Sequence, residues 1–166
     1  MTRKATPASL LYVRSASRSR SRLGLAGSLA VLLLLTVGCS TNRQILLTER
    51  APKPAGPFSQ AVRVGGTLYV AGQLGIDPAT GALVPGGISA ETAKALANIK
   101  AIVEAAGFSM TDVVSSTVYL TDMADFTAMN QVYALFFPAA PPARATVAVV
   151  GLARGAHIEI SVIAAR

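Results

Sequence analysis

An uninterrupted run of uncharged residues, 23–37, divides this 166-residue chain and limits how much of it can fold as a domain. Six lysine and arginine residues precede the run, and the sequence GCS follows it. A basic start, an apolar segment and small residues at its end are the pattern of a secretory signal. The run holds 15 residues, fewer than the roughly 20 that a membrane-spanning helix needs. We therefore expect residues 1–39 to be a signal peptide and the remainder to fold as one domain.

Cys39, the only cysteine, stands at the predicted cleavage site. The sequence LTVGC, residues 35–39, resembles the bacterial lipobox, in which the cysteine is acylated; Thr36 stands where leucine is usual. An acylated cysteine would hold the domain at a membrane surface without spanning the bilayer. Lipid attachment at Cys39 is the prediction, and an ordinary signal peptide or an uncleaved anchor is the alternative. The predicted location is periplasmic or membrane-anchored, as an exported lipoprotein of a bacterium.

The charge distribution argues against nucleic acid as a partner. The chain has 15 Lys and Arg against 8 Asp and Glu. Six of the basic residues precede Cys39 and every acidic residue follows it, which leaves 9 basic against 8 acidic residues. A nucleic-acid binder normally carries a basic stripe with interleaved aromatic residues. We therefore expect no nucleic-acid partner, and contact with a membrane only through the N-terminal anchor.

Strand and helix patterns follow a Pro/Gly-rich segment, residues 51–57, which cannot be helical. We expect residues 40–50 to be a tether and residues 51–166 to be the folded domain. Alternating polarity and β-branched residues predict five strands: 61–64, 67–73, 112–120, 143–150 and 157–164. Apolar stripes at helical spacing predict two helices: 89–106 with Ser89 as N-cap, and 122–137 with Asp122 as N-cap.

The order of these elements is β-β-α-β-α-β-β, which predicts an α+β fold, a mixed sheet with two helices on one face. The second face of so apolar a sheet would be exposed in a lone chain. Self-association is the simplest way to cover it.

The composition and motifs argue against several common kinds of catalytic site. One histidine and one cysteine leave too few ligands for catalytic zinc, which needs about three converging donors. The glycine pairs at 65–66 and 86–87 lack the spacing and the lysine of a P-loop and are more simply turns. His157, Glu159 and Ser161 alternate along one strand without the motif of a serine nucleophile. No metal or cofactor is expected.

Arg144 and Glu159 are the remaining candidates, on strand candidates that follow one another along the chain. A guanidinium donates two parallel hydrogen bonds and so suits a planar carboxylate. Glu159 lies between Ile158 and Ile160, so burial would raise its pKa and suit it to proton transfer with water. Alternation along the strands places Arg144 on a face with Thr146, and Glu159 on another. The alternative is a salt bridge between Arg144 and Glu159 that only pins two strands.

Five motifs run in order between about residue 51 and residue 166: GPFSQA (56–61), VAGQ (70–73), NIKAIVEAAG (98–107), PAR (142–144) and IEI (158–160). Together they resemble the Rid family, the YjgF-type reactive-intermediate deaminases. The resemblance implies a chorismate-mutase-like fold assembled as a homotrimer, with three clefts between subunits. It also implies hydrolysis of enamines and imines, such as 2-aminoacrylate, 2-iminopropanoate and 2-iminobutanoate, to 2-oxo acids and ammonia without metal or cofactor.

The resemblance assigns roles to residues of the matching motifs. Arg144 would bind the substrate carboxylate, and Glu159 would position or activate water. Four further residues would line the pocket: Phe58, Gly72, Asn130 and Thr146. The family often has tyrosine, serine and cysteine at three positions where this chain has Phe58, Ala71 and Thr146. These departures predict a working deaminase with a shifted substrate preference.

Two alternatives to an enzyme remain open. A binding module would capture a small carboxylate in the same cleft without turnover. Export favours this alternative, because the usual imine sources are cytosolic pyridoxal-phosphate enzymes. A purely structural trimer would bind no small ligand.

Overall fold

The computed structural model describes residues 42–166; the predicted signal and Cys39 lie outside them. Its main elements are β1 (Arg43–Leu46), β2 (Ala61–Val64), β3 (Thr67–Leu74), α1 (Gly87–Ala105), β4 (Val113–Leu120), α2 (Phe126–Phe136), β5 (Ala143–Ala148) and β6 (Ile158–Ala165). The predicted order is confirmed, with the additional strand β1 in front. The fold is α+β, a six-stranded mixed sheet with two helices.

Strand β1 lies in the segment predicted to be a tether. It pairs antiparallel with β2, from Arg43 opposite Val64 to Leu46 opposite Ala61. The prediction for residues 40–50 was therefore wrong at 43–46, which form an edge strand. Three of its four residues are exposed, so the sequence shows no alternation of buried and exposed positions by which to detect it.

The two helices begin away from their predicted N-caps. Helix α1 starts at Gly87, before Ser89, after a glycine N-cap with φ 114°. Asp122 caps the 3-10 turn Met123–Asp125, accepting the Ala124 N–H at 2.8 Å, and α2 begins after that turn. Backbone geometry and an extra turn thus set the helix starts. No helix within residues 42–166 is both long and apolar enough to cross a membrane.

The strand order is β1-β2-β3-β6-β4-β5, so β4 separates β5 from β6. Strands β4 and β5 are parallel, whereas β6 runs antiparallel to both β3 and β4. Strands β5 and β6, which carry Arg144 and Glu159 and follow one another along the chain, are therefore not adjacent in the sheet. Helix α2 is the crossover that a parallel pair requires, and it carries β5 to the outer side of β4. Strand β6 then occupies the position between β3 and β4.

Strand β6 shows which face of the sheet forms the core. Its buried residues alternate along the strand: Ile158, Ile160, Val162 and Ala164. They belong to one apolar cluster with the buried stripes of both helices. On the opposite face, Tyr69 and Val147 are 49% and 43% exposed. We call this opposite side the open face, because no other element within residues 42–166 covers it.

Candidate active site

Glu159 lies near the middle of the sheet, on the open face. Strand β6 places it opposite Leu74 of β3 and Tyr119 of β4. Burial raises the pKa of its carboxyl group. A carboxyl group shifted in this direction exchanges protons with water closer to neutral pH than an exposed glutamate does.

Gly72 leaves the space that the Glu159 side chain occupies. It falls within an irregularity of the β3–β6 register, between Val70 and Gln73. A Cβ atom built at Gly72 would overlap the Glu159 Oε1 atom and would lie 2.6 Å from Cδ and 2.9 Å from Cγ. Only glycine at this position therefore allows the carboxylate to stay where it is.

A groove of about 570 Å³ opens beside Glu159. Residues 49 and 51–58 form part of its lining, and Phe58 there is 53% exposed. Gly72, Glu159 and Arg154 line other parts of it. The groove therefore brings together three of the predicted site residues: Phe58, Gly72 and Glu159. We call these three the glutamate half-site.

Gln60 holds the groove-lining loop in shape. Its side chain is buried, and its Nε2 donates to the carbonyl oxygens of Thr48, Ala51 and Pro52 at 3.1, 3.2 and 2.9 Å. Its Oε1 accepts the Thr48 N–H at 2.7 Å. A proline-rich loop has few N–H groups of its own for hydrogen bonding, so this single amide side chain supplies much of its order.

Arg144, on the edge strand β5, contacts one face of helix α2. Its Nη2 donates to Asn130 Oδ1 at 2.7 Å. Its Cζ atom lies 4.5 Å from the ring centroid of Tyr133 and 5.8 Å from that of Phe126. We call Phe126, Asn130 and Tyr133 the arginine seat. A cleft of about 440 Å³ opens here, and its lining includes Asn130, Tyr133, Pro141, Pro142 and Arg144.

Thr146 lies two residues beyond Arg144 on the same face of β5. Its hydroxyl oxygen is buried and has no hydrogen-bond partner within residues 42–166. The hydroxyls of Ser116 and Tyr133 are buried too and lie against each other. Buried hydroxyls are normally paired. Their grouping near Arg144 therefore indicates a polar site rather than an ordinary packed core. We call Arg144, Asn130 and Thr146 the arginine half-site.

The two half-sites lie on opposite faces of the sheet, as β4 shows. Ser116 is the Cα partner of Arg144 and is buried on the helix side, whereas Tyr119 is the Cα partner of Glu159. Residues an odd number of positions apart on a strand point to opposite faces. One chain therefore does not bring Arg144 and Glu159 together. The alternative of a salt bridge between them is wrong, since the ion pairs within residues 42–166 do not include it.

His157 is paired with Glu91 and not with a nucleophile. Its Nδ1 lies 2.6 Å from Glu91 Oε1, and its backbone N–H donates to Glu91 Oε2 at 2.8 Å. The hydrogen bond and the charge of the buried Glu91 raise the pKa of His157. This pair fixes the start of β6, two residues before Glu159. Within the described part of the chain, no three His, Cys, Asp or Glu side chains are grouped to hold a metal ion.

The sequence profile of the endoribonuclease L-PSP family matches residues 48–166. The chain belongs to this family. A curated relative, the 2-iminobutanoate/2-iminopropanoate deaminase of Capra hircus, is 50% identical to it over 125 residues, 75% of this chain and 91% of the relative. A RutC family protein of Pyrococcus horikoshii is 52% identical over 122 residues, 74% of this chain and 97% of the relative.

Solved structures of similar proteins share the fold of this L-PSP family member. RidA from an Antarctic Psychrobacter matches it with a TM-score of 0.72 at 45% identity, covering 74% of this chain and 99% of RidA. Escherichia coli TdcF, solved with bound serine, matches with a TM-score of 0.72 at 39% identity, covering 74% and 98%. The resemblance of the motifs to the Rid family is thereby confirmed.

Sequence reasoning missed three residues that shape the half-sites. Phe126 and Tyr133 were assigned to the apolar stripe of α2, although their spacing with Asn130, i, i+4 and i+7, places all three on one helix face. Nothing local marks Gln60, because its partners lie 8 to 12 residues away. The neighbours of Arg144 could therefore have been inferred from helical spacing, whereas Gln60 could not.

Proposed function

We propose that this L-PSP family member hydrolyses 2-imino acids and their enamine tautomers, such as 2-aminoacrylate, 2-iminopropanoate and 2-iminobutanoate, to 2-oxo acids and ammonia. One observation carries the proposal. The chain holds a fixed guanidinium, Arg144, and a glutamate whose pKa burial raises, Glu159, without pairing one with the other. The Capra hircus relative, which is 50% identical to this chain, is named 2-iminobutanoate/2-iminopropanoate deaminase, and this name supports the same substrates.

The proposed chemistry needs one anion-binding group and one proton carrier. Arg144 binds the carboxylate of the substrate and fixes the position of the neighbouring C=N carbon. Glu159 takes a proton from water as the water oxygen bonds to that carbon, and the proton passes to the nitrogen. Collapse of the carbinolamine breaks the C–N bond, so one imino acid and one water give one 2-oxo acid and one ammonia. Gly72 and Phe58 shape the pocket, and Thr146 completes its wall.

The proposed site is shared between copies of the chain. The arginine half-site and the glutamate half-site use different surfaces, so a cleft that joins them is a head-to-tail contact, and such contacts form a ring when the rotation between copies closes. We propose a ring of three, the assembly that the Rid resemblance implies. The exposed apolar side chains of the open face, Tyr69 and Val147, support its burial against other copies.

The proposed location is outside the bacterial cytoplasm. It is supported by the basic start, the 15-residue apolar run and the lipobox-like sequence that ends at Cys39. Mass spectrometry of the protein recovered from its cells tests it: an acylated N-terminal Cys39 is the expected result. A mature N-terminus that begins before the apolar run would contradict export by this route.

Ammonia release from freshly generated imino acids tests the activity. An amino-acid oxidase supplies small, branched and aromatic 2-imino acids to the purified protein, and ammonia formation is followed against the spontaneous rate. We expect acceleration for small substrates, and no acceleration with Arg144→Ala although the chains still assemble. Carboxylate binding without any acceleration by the unaltered protein would refute the enzyme and identify a binding module instead.

A further inference from the structure

The arginine seat does more than contact Arg144 at one point. Phe126 and Tyr133 are seven residues apart on α2, which corresponds to about 10.5 Å along the helix axis. The Arg144 Cζ atom lies 5.8 Å from the ring centroid of Phe126 and 4.5 Å from that of Tyr133. Two rings from helix positions two turns apart therefore contact the same guanidinium.

Asn130 occupies the helix turn between the two rings. Its Oδ1 accepts one hydrogen from Nη2 of Arg144 at 2.7 Å. Aromatic rings attract a cation without taking its N–H groups as an oxygen acceptor does. The seat thus contacts the guanidinium through Phe126, Asn130 and Tyr133. Nη1 also donates to Met129 Sδ, a weak acceptor, at 4.0 Å, and the remaining N–H donors are left for a ligand.

The two rings differ in how firmly they are held. Tyr133 is 4% exposed and packs on Phe137, with ring centroids 4.8 Å apart. Phe126 lies nearer the surface and is 36% exposed. Tyr133 therefore sets the position of the guanidinium, and Phe126 forms the outer wall of the same seat.

We propose that Tyr133 and Phe126 are positioning residues that hold Arg144 with one edge presented to a planar carboxylate, and that they make this pocket reject tetrahedral anions. Two parallel N–H donors match the two oxygens of a carboxylate lying in the guanidinium plane. A sulfonate or phosphonate head group has a third oxygen outside that plane, which the flanking rings obstruct. The inference rests on the proposed function only in using the same Arg144 pocket.

Binding of a matched pair of anions to the full chain tests the proposal. Butanoate and propane-1-sulfonate carry the same three-carbon chain and differ only in the head group. Titration followed by NMR or calorimetry gives both affinities without any turnover. We expect the unaltered protein to bind butanoate about tenfold or more tightly than propane-1-sulfonate, a difference of about 1.4 kcal/mol.

Three variants separate the roles of the two rings. Tyr133→Leu and Phe126→Leu are expected to weaken butanoate binding about tenfold and to erase most of the preference. Leu135→Ala is the control on the same helix: Leu135 is 77% exposed and does not line the cleft beside Arg144, so affinity and preference should stay those of the unaltered protein. If Tyr133→Leu does not fold, Phe126→Leu still tests the proposal, because Phe126 is at the surface and its replacement should leave the fold intact.

Three results would overturn the proposal: no preference for butanoate in the unaltered protein, full affinity and preference in the leucine variants, or an equal loss in Leu135→Ala. These outcomes are independent of catalysis. A protein that shows the expected preference but releases no ammonia from imino acids would refute the proposed function and leave the positioning roles standing.

Discussion

Gly72→Ala should separate the position of the Glu159 carboxylate, which we propose to be catalytic, from the stability of the fold. A Cβ atom at this position would lie 2.6 Å from Cδ and 2.9 Å from Cγ of Glu159, whereas ordinary contacts begin at 3.4 Å. The carboxylate must therefore recede by about 1 Å, and a displacement of this size at a reacting group costs about 100-fold in rate. Because the Glu159 side chain is only partly buried, it can swing into the groove, and we expect a stability loss of about 1 kcal/mol.

The assay for Gly72→Ala is imino-acid hydrolysis with kcat and KM determined separately. We expect kcat to fall about 100-fold and KM to change little, because the proposed carboxylate contact is Arg144 of another copy, which the substitution leaves in place. Gly151→Ala is the matched control, since a Cβ atom there meets nothing within 4 Å. The reasoning fails if Gly72→Ala keeps the original kcat, or if Gly151→Ala loses as much.

Further predictions concern charge and order around the two half-sites. Burial raises the pKa of Glu159. The contribution of Glu159 to the free energy of unfolding is therefore most favourable below the pKa of glutamate in the unfolded chain, and it falls as pH rises through the folded pKa. Glu159→Gln should be inactive yet at least as stable as the unaltered protein near neutral pH. Glu91, with a smaller effect from Asp125, raises the pKa of His157. The stability from this pair should be full below about pH 6.5 and should decline as pH rises through the folded pKa. Urea unfolding across that pH range should show the free energy of unfolding declining in the unaltered protein and changing less with pH in Glu91→Gln. Identical pH profiles for the two proteins would contradict this prediction. Gln60→Ala should lower the free energy of unfolding by about 2 kcal/mol and raise hydrogen exchange in residues 48–58. Lys53→Ala, which removes an exposed ion pair with Glu49 in the same segment, should do neither.

The order of elements could be predicted because each has a strong local period. The alternation along β6 and the apolar stripes of α1 and α2 are present in the sequence and follow from burial on one side. Strand β1 left no such signal, because it is an exposed edge with one partly buried residue, Leu46. Local periodicity predicts which segments are strands, but it does not predict which strands pair with each other.

The composition of the site could be predicted further than its geometry. Arg144 and Glu159 stand out as an unexplained cation and acid on apolar strands, and the family motifs add their neighbours. Alternation along each strand already separates their faces, but only the pairing of β4 with β5 and with β6 shows that Arg144 lies on the helix side and Glu159 on the open face. These strand pairings are long-range contacts, and the residues next to Arg144 and Glu159 in the sequence do not determine them. The division into two half-sites therefore had to come from the structure.

Mixing two inactive variants tests most directly whether the site is built from two copies. Arg144→Ala retains its glutamate half-site and Glu159→Gln retains its arginine half-site, so chains unfolded and reassembled together in equal amounts should regain activity. Random assembly of a head-to-tail ring leaves about a quarter of the sites with both groups intact, so we expect about a quarter of the original activity. A mixture no more active than the separate variants, although mixed assemblies have formed, would contradict the shared site.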